Sequence, residues 1–280
     1  MVGRHQNRWE ASLADLKRAS ELDPQNTEVA YHLWDIYFEM RRYSDAEQLI
    51  TREAASSKSE HPSLQRRRAE IKLAQGDPVA AQALLEQIPL DFNPVPYIWG
   101  TRFKAALYLR DYDAAGRVIA MTPPKGLSEL AVFDGPPEWA YAQVARARGD
   151  KQGALAAFQA ARNKEIALSK TIPENPITGI ARYDAGLGRK EEAIREARRA
   201  VEILPIATDS LNGPGNVAAL ALVYAWTGER DAALEQLQKI ATLPGSAPTY
   251  GDLLLNPCWD SLRGDKRFDK IVAAAKAASK

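Results

Sequence analysis

The chain has 280 residues, 45% of them hydrophobic and 26% charged, with a formal net charge of +1. This balance suits a soluble folded protein and supplies no bulk field that would select nucleic acid or an anionic membrane surface. Cys258 is the single cysteine, so an intramolecular disulfide is excluded. No apolar run approaches the ~18 residues of a membrane span, and the expected location is the cytoplasm.

In chain order, residues 8–24 read as one amphipathic helix with Trp9, Leu13 and Leu16 on its apolar face. Helices are predicted in pairs at 27–41 and 44–56, at 62–75 and 78–88, and at 97–109 and 112–121, with a loop over 89–96. Thr122–Glu138 carries Pro123, Pro124, Pro136 and Pro137 together with Gly126 and Gly135, and is predicted to be an inserted loop and a bend in the chain. The next pair begins near 139, and its second helix runs from Lys151 to about Lys170, stopped by Pro173 and Pro176. Gly188–Pro205 is the clearest helix, opened by glycine and closed by proline. A loop over 205–215 precedes the last pair, Leu243–Gly251 is predicted to be a turn-rich connector, and Asp265 is an N-cap for a final helix over 266–278 with Phe268, Ile271 and Val272 inward. The expected organisation is a half-unit at 1–26, paired helices at 27–121, the inserted loop at 122–138, further pairs at 139–243 and a C-terminal cap at 244–280.

The pairs are copies of one unit. Ala46, Ala81, Ala115, Ala154, Ala193 and Ala233 recur at intervals of about 34 to 40 residues. Five residues before each stand Arg41, Gly76, Arg110, Gly149, Gly188 and Gly228, where a first helix ends and glycine accepts a left-handed conformation. Four residues after each stand Ile50, Leu85, Ile119, Phe158, Ala197 and Leu237, an apolar rib. Twelve before stand Trp34, Ala69, Phe103, Ala142, Ala181 and Ala221, mostly small, as close packing of two antiparallel helices requires.

This pattern resembles the tetratricopeptide repeat family over roughly residues 8–243. Ankyrin repeats share the period, but their T-P-L-H turn is absent. Arg68 and Arg102 depart from the family, which places leucine there. The resemblance implies an all-α, right-handed solenoid of helix pairs with a C-terminal capping helix. Residues 8–24 match only a second helix, so the end unit is expected to leave Trp9, Leu13 and Leu16 partly uncovered, open to association. It also suggests the C-terminal part of a longer protein. The string NPCWDSLRGDKRF resembles the segment that closes such repeat regions in bacterial multi-domain signalling proteins.

No catalytic constellation is expected. His5, His32 and His61 lack metal-site spacing, so neither a metal nor a cofactor is predicted. Cys258 reads as a buried thiol beside Trp259, Gly213–Gly215 as a helix start, and Arg66–Arg68 as a solvated helix face. The resemblance implies a concave groove lined by the first helices, which places Tyr31, Asp35, Phe38, Arg66, Glu70, Tyr97, Lys104, Tyr108, Trp139, Gln143, Arg146, Arg182 and Trp226 in it. These residues suit a protein partner, an extended peptide with acidic and apolar residues. Asp35 and Tyr31 occupy the asparagine and lysine positions of the chaperone-binding carboxylate clamp, so that ligand is not expected. The function expected is a non-catalytic interaction scaffold in a bacterial signalling protein, with neither nucleic acid nor membrane as partner. The alternatives are a helical-repeat RNA-binding module, or the C-terminal region of a kinase or cyclase-like enzyme.

Overall fold

The computed structural model describes residues 2–56, 61–90, 97–122, 134–169 and 178–279, and the regular structure among them is helical. A single turn, α1 (Val2–His5), precedes α2 (Trp9–Leu22). Antiparallel pairs follow: α3 (Thr27–Glu39) with α4 (Tyr43–Ser56), α5 (Pro62–Ala74) with α6 (Pro78–Glu86), and α7 (Tyr97–Tyr108) with α8 (Tyr112–Met121). Then come α9 (Pro137–Arg148) with α10 (Lys151–Ser169), α11 (Thr178–Gly186) with α12 (Lys190–Ile203), and α13 (Gly213–Trp226) with α14 (Arg230–Ile240). The chain ends with α15 (Tyr250–Leu255), a 3-10 turn (Pro257–Leu262) and α16 (Lys266–Ala277). Most of the loop expected over 89–96, most of the inserted loop over 122–138, and the helix stop at Pro173 and Pro176 lie outside the described residues.

Local chemistry sets the ends of these helices. Asn26, Asp77, Asp111, Thr249 and Asp265 each accept a backbone N–H of the helix they precede, satisfying groups a helix start leaves unpaired. Arg41, Gly76, Arg110, Gly149, Gly188 and Gly228 all have φ between 58 and 86°, so each pair turns through one left-handed residue. The six marker alanines and the ribs that follow them are buried. Each marker position puts a single buried methyl group between the paired helices.

The two ends of the solenoid meet. Arg4 of α1 bridges Asp35 and Glu39 of α3, at 2.6 Å each. The 205–212 segment closes on the same region: His5 Nδ1 lies 2.9 Å from Asp209 Oδ2, Ser210 N–H donates to the His5 carbonyl, and Asn7 N–H donates to Ser210 Oγ. On the other side of the seam, Arg41 donates to the carbonyls of Ala241 and Pro248 at 2.9 and 3.0 Å. The expectation of an open N-terminal face is therefore corrected for Trp9 and Leu13, while Leu16 is partly exposed as expected. Trp9 and Leu13 are buried, and Leu211 from the far end packs on their cluster. One turn of α1 and the opposite end of the chain together cover this end of α2 and α3.

The seam carries a proton-linked group. Burial, then the adjacent Asp35 carboxylate, push the Glu39 carboxyl up to about 7 from 4.5, with Arg4 opposing. A carboxyl with a raised folded pKa adds stability that is complete below about pH 4.5 and is lost as pH rises through about 7. The thermal midpoint of the wild type is expected to fall between about pH 5 and pH 8, and Glu39→Gln to remove part of that fall. Melting curves that fall equally in both proteins would refute this.

The C-terminal segment turns inward. Where a plain connector was expected to reach Gly251, Thr249 caps α15, which lies against α5. Gly251 makes that approach possible, since a Cβ there would meet the Leu73 carbonyl oxygen at 1.8 Å. Asp252 accepts from Tyr108 Oη (2.8 Å), Trp259 Nε1 (2.9 Å) and Asn256 Nδ2 (2.9 Å). The 3-10 turn packs on α9 and α13, and Trp226 Nε1 donates to the Cys258 carbonyl. Residues 250–262 thus cross the interior face of the first helices.

Candidate functional site

With the ends joined and the C-terminal segment across the interior, the concave face becomes a cavity of about 650 Å³. Its wall comes from α3, α5, α7, α9, α11 and α13, together with Asp134 and residues 245–259. Tyr31, Asp35, Phe38, Arg66, Glu70, Tyr97, Lys104, Tyr108, Trp139, Gln143 and Arg182 all line it. Arg146 and Trp226 do not. Trp226 packs against Trp139 and Phe158, and the Arg146 guanidinium lies 4.3 Å over its ring, an intramolecular cation–π contact.

The cationic wall residues are held in place by neighbours. Arg66 is paired with Glu70 and sits between the rings of Trp34 and Tyr97, at 5.7 and 5.9 Å. Lys104 Nζ is 3.3 Å from Asp134 Oδ2. Arg182 donates to the Asp134 carbonyl at 2.8 Å, with its guanidinium 4.8 Å over Trp139. The run Arg66–Arg68 is not the solvated face its charge implied. Arg66 and Arg67 are buried, and Glu70, Glu53 and Glu47 meet the three guanidinium groups. Five donors on a planar fork let arginine enter aromatic surroundings when a carboxylate is in reach. Arg102, the other departure, caps the preceding unit by donating to the Leu85 and Ile88 carbonyls.

Two titratable groups of the wall, Tyr108 and Cys258, are held in their protonated forms. Burial and Asp252 push the Tyr108 hydroxyl well above its ordinary range. Burial pushes the Cys258 thiol up to about 12, and its Sγ lies 3.5 Å from Gln143 Oε1. A thiol so held is protonated at neutral pH and a poor nucleophile. Among the described residues no three His, Cys, Asp or Glu groups could together hold a metal ion, and no helix is long and apolar enough to cross a membrane.

Sequence reasoning did not place Trp34, Thr101, Asp134, Asp252 and Trp259 on this wall. Trp34 occupies a position read as interhelix packing. Asp134 belongs to the proline-rich insertion, and Asp252 and Trp259 to the C-terminal segment read as a cap. For Asp252 a faint signal exists in TYGDLLL, a threonine cap followed by an apolar run.

Residues 4–52 match the family described as tetratricopeptide repeat. No curated protein matches the chain. Among solved structures, that of a tetratricopeptide repeat protein from Parabacteroides merdae ATCC 43184 is similar, with a TM-score of 0.50 and 14% identity, over 98% of this chain and 93% of that chain. At that identity the likeness is one of fold.

Proposed function

We propose that this tetratricopeptide repeat protein is a non-catalytic interaction scaffold whose binding site is its interior cavity. One observation carries the reading: the first helices of successive pairs bring aromatic and charged side chains together on a space of about 650 Å³. Volumes of about 300–1,000 Å³ suit a compact ligand. Because residues 250–262 cross the interior, the ligand is a short protein segment with acidic and apolar residues, not an extended peptide laid along every repeat. The aromatic rings supply apolar contact, and Arg66, Lys104 and Arg182 supply charge-assisted bonds. The resemblance of NPCWDSLRGDKRF to the closing segment of bacterial signalling proteins supports a regulatory or sensory place for the scaffold.

The test is charge reversal at Arg182, on the cavity wall, and at Arg146, which lies over Trp226, the ring packed against Trp139 of that wall. Arg146→Glu with Arg182→Glu is expected to weaken retention of the native partner by tenfold or more, on the order of 1.4 kcal/mol. The melting curve of the double variant should stay cooperative. Full retention by a folded double variant would overturn the reading.

A further inference from the structure

We propose that Lys104 and Arg182 form a carboxylate seat that the chain keeps filled with its own Asp134, and that an acidic group of the bound partner takes Asp134's place. This rests on the reading of the cavity as the binding site and specifies how one end of the ligand is held.

The two cations come from separate repeats, Lys104 from α7 and Arg182 from α11, and converge on one residue outside both. Asp134 is delivered by a tight bend, with φ of 56° at Asp134 and 156° at Gly135. Gly135 fits because it has no side chain: a Cβ there would meet Tyr183 Oη at 2.9 Å and Trp139 Cδ1 at 3.1 Å. The bend is thus pressed against the ring over which Arg182 lies. Lys104, and with it Arg182, hold the Asp134 carboxyl below its usual range. The seat is built for an anion.

It is also built to exchange one. The side chains of Lys104 and Asp134 are 47% and 64% exposed, and an ion pair so open to water holds its partners weakly. Arg182 bonds the backbone of Asp134, so that contact survives when the carboxylate swings away. Tyr97, Tyr108 and Trp139 line the same cavity and would flank the incoming group. The rest of the wall limits the ligand to a single acidic group here. Asp252 and Glu70 already act on Lys104, and a second carboxylate would be repelled by them. A side-chain carboxylate and a chain terminus offer the same chemistry to this seat.

The experiment is calorimetric titration of the full chain with three short peptides. They are acetyl-Phe-Glu-amide, acetyl-Phe-Gln-amide, and acetyl-Phe-Ala with a free terminal carboxylate. Removing the internal competitor with Asp134→Ala should tighten binding of the glutamate peptide by about three- to tenfold, as freeing an occupied site does. Adding Lys104→Ala or Arg182→Ala to that variant should abolish the gain, and the glutamine peptide should gain nothing. A gain shared by the free-terminus peptide assigns the seat to carboxylates of either source; a gain for the glutamate peptide alone assigns it to side chains. Equal affinities in wild type and Asp134→Ala, or equal gains for the glutamate and glutamine peptides, overturn the exchange and leave the cavity as a binding site. No binding to either protein also overturns it, while the cavity reading is decided separately by partner retention in the Arg146 and Arg182 variant.

Discussion

Replacing Arg4 with alanine is expected to lower the thermal midpoint by roughly 5–10 °C and to open the ring of repeats. Arg4 is buried, and its guanidinium holds Asp35 and Glu39 at 2.6 Å each. Without it two mostly buried carboxylates, 27% and 18% exposed, face each other with no countercharge, a change that costs up to about 3–5 kcal/mol where the pair is fully buried. Glu39 can relieve some of this by taking up a proton, so the loss should be smaller at about pH 5 than at about pH 8. A second consequence is geometric. A single helical turn is not stable alone, and α1 is held by Arg4 together with its contacts to Ser210. Once α1 is released, Trp9 and Leu13 lose a cover and the Asp209–Ser210 contacts lose their partner. Solution scattering should then report a larger radius of gyration. A variant with unchanged melting and unchanged scattering would show that the seam is held elsewhere.

The second large effect is expected at Ala193. Its side chain is completely buried within the core formed with Ala181, Ala185 and Ala197. Leucine there adds atoms where helices α11 and α12 are already in contact, and overpacking of this kind costs about 1–3 kcal/mol. Arg199→Leu serves as the control, because Arg199 is exposed on the same helix and should change stability by no more than about 0.5 kcal/mol. Chemical denaturation of the two variants beside the wild type measures the difference. Equal stability of Ala193→Leu and Arg199→Leu would mean that the alanine does not set the spacing of the pair.

The repeat was legible because it is written in residue sizes at fixed intervals. Ala193 and its counterparts can only be small, and the left-handed turn before each was readable as glycine at Gly76, Gly149, Gly188 and Gly228. Arg41 and Arg110 occupy that turn in the other two units with φ of 58 and 61°, a conformation glycine adopts at less cost. Their side chains explain the exception. Arg41 reaches the carbonyls of Ala241 and Pro248, and Arg110 makes a two-pronged pair with Asp260 at 2.7 and 2.8 Å. Nothing local marks either residue as a link to the C-terminal segment, because its partner lies far along the chain and belongs to no periodic pattern. For the same reason the inward path of residues 250–262 was not visible, and so neither was the closing of the groove into a cavity. The wall itself was largely readable from the repeat register, since that register decides which face of each first helix looks inward. Asp134 and Asp252 were not, because they stand outside the repeats.

The seam also changes how the molecule folds and comes apart. An open array of repeats depends on neighbours alone, so its end units fray and its stability is nearly a sum along one dimension. Here His5 meets Asp209 and Arg41 meets Ala241 across 204 and 200 residues of sequence. Closing a loop of that length carries an entropy cost that only late, simultaneous contacts repay, which raises the contact order of an otherwise local fold. The first and last helices therefore share an opening event, and the units that would be the weakest in a linear stack guard each other against local unfolding.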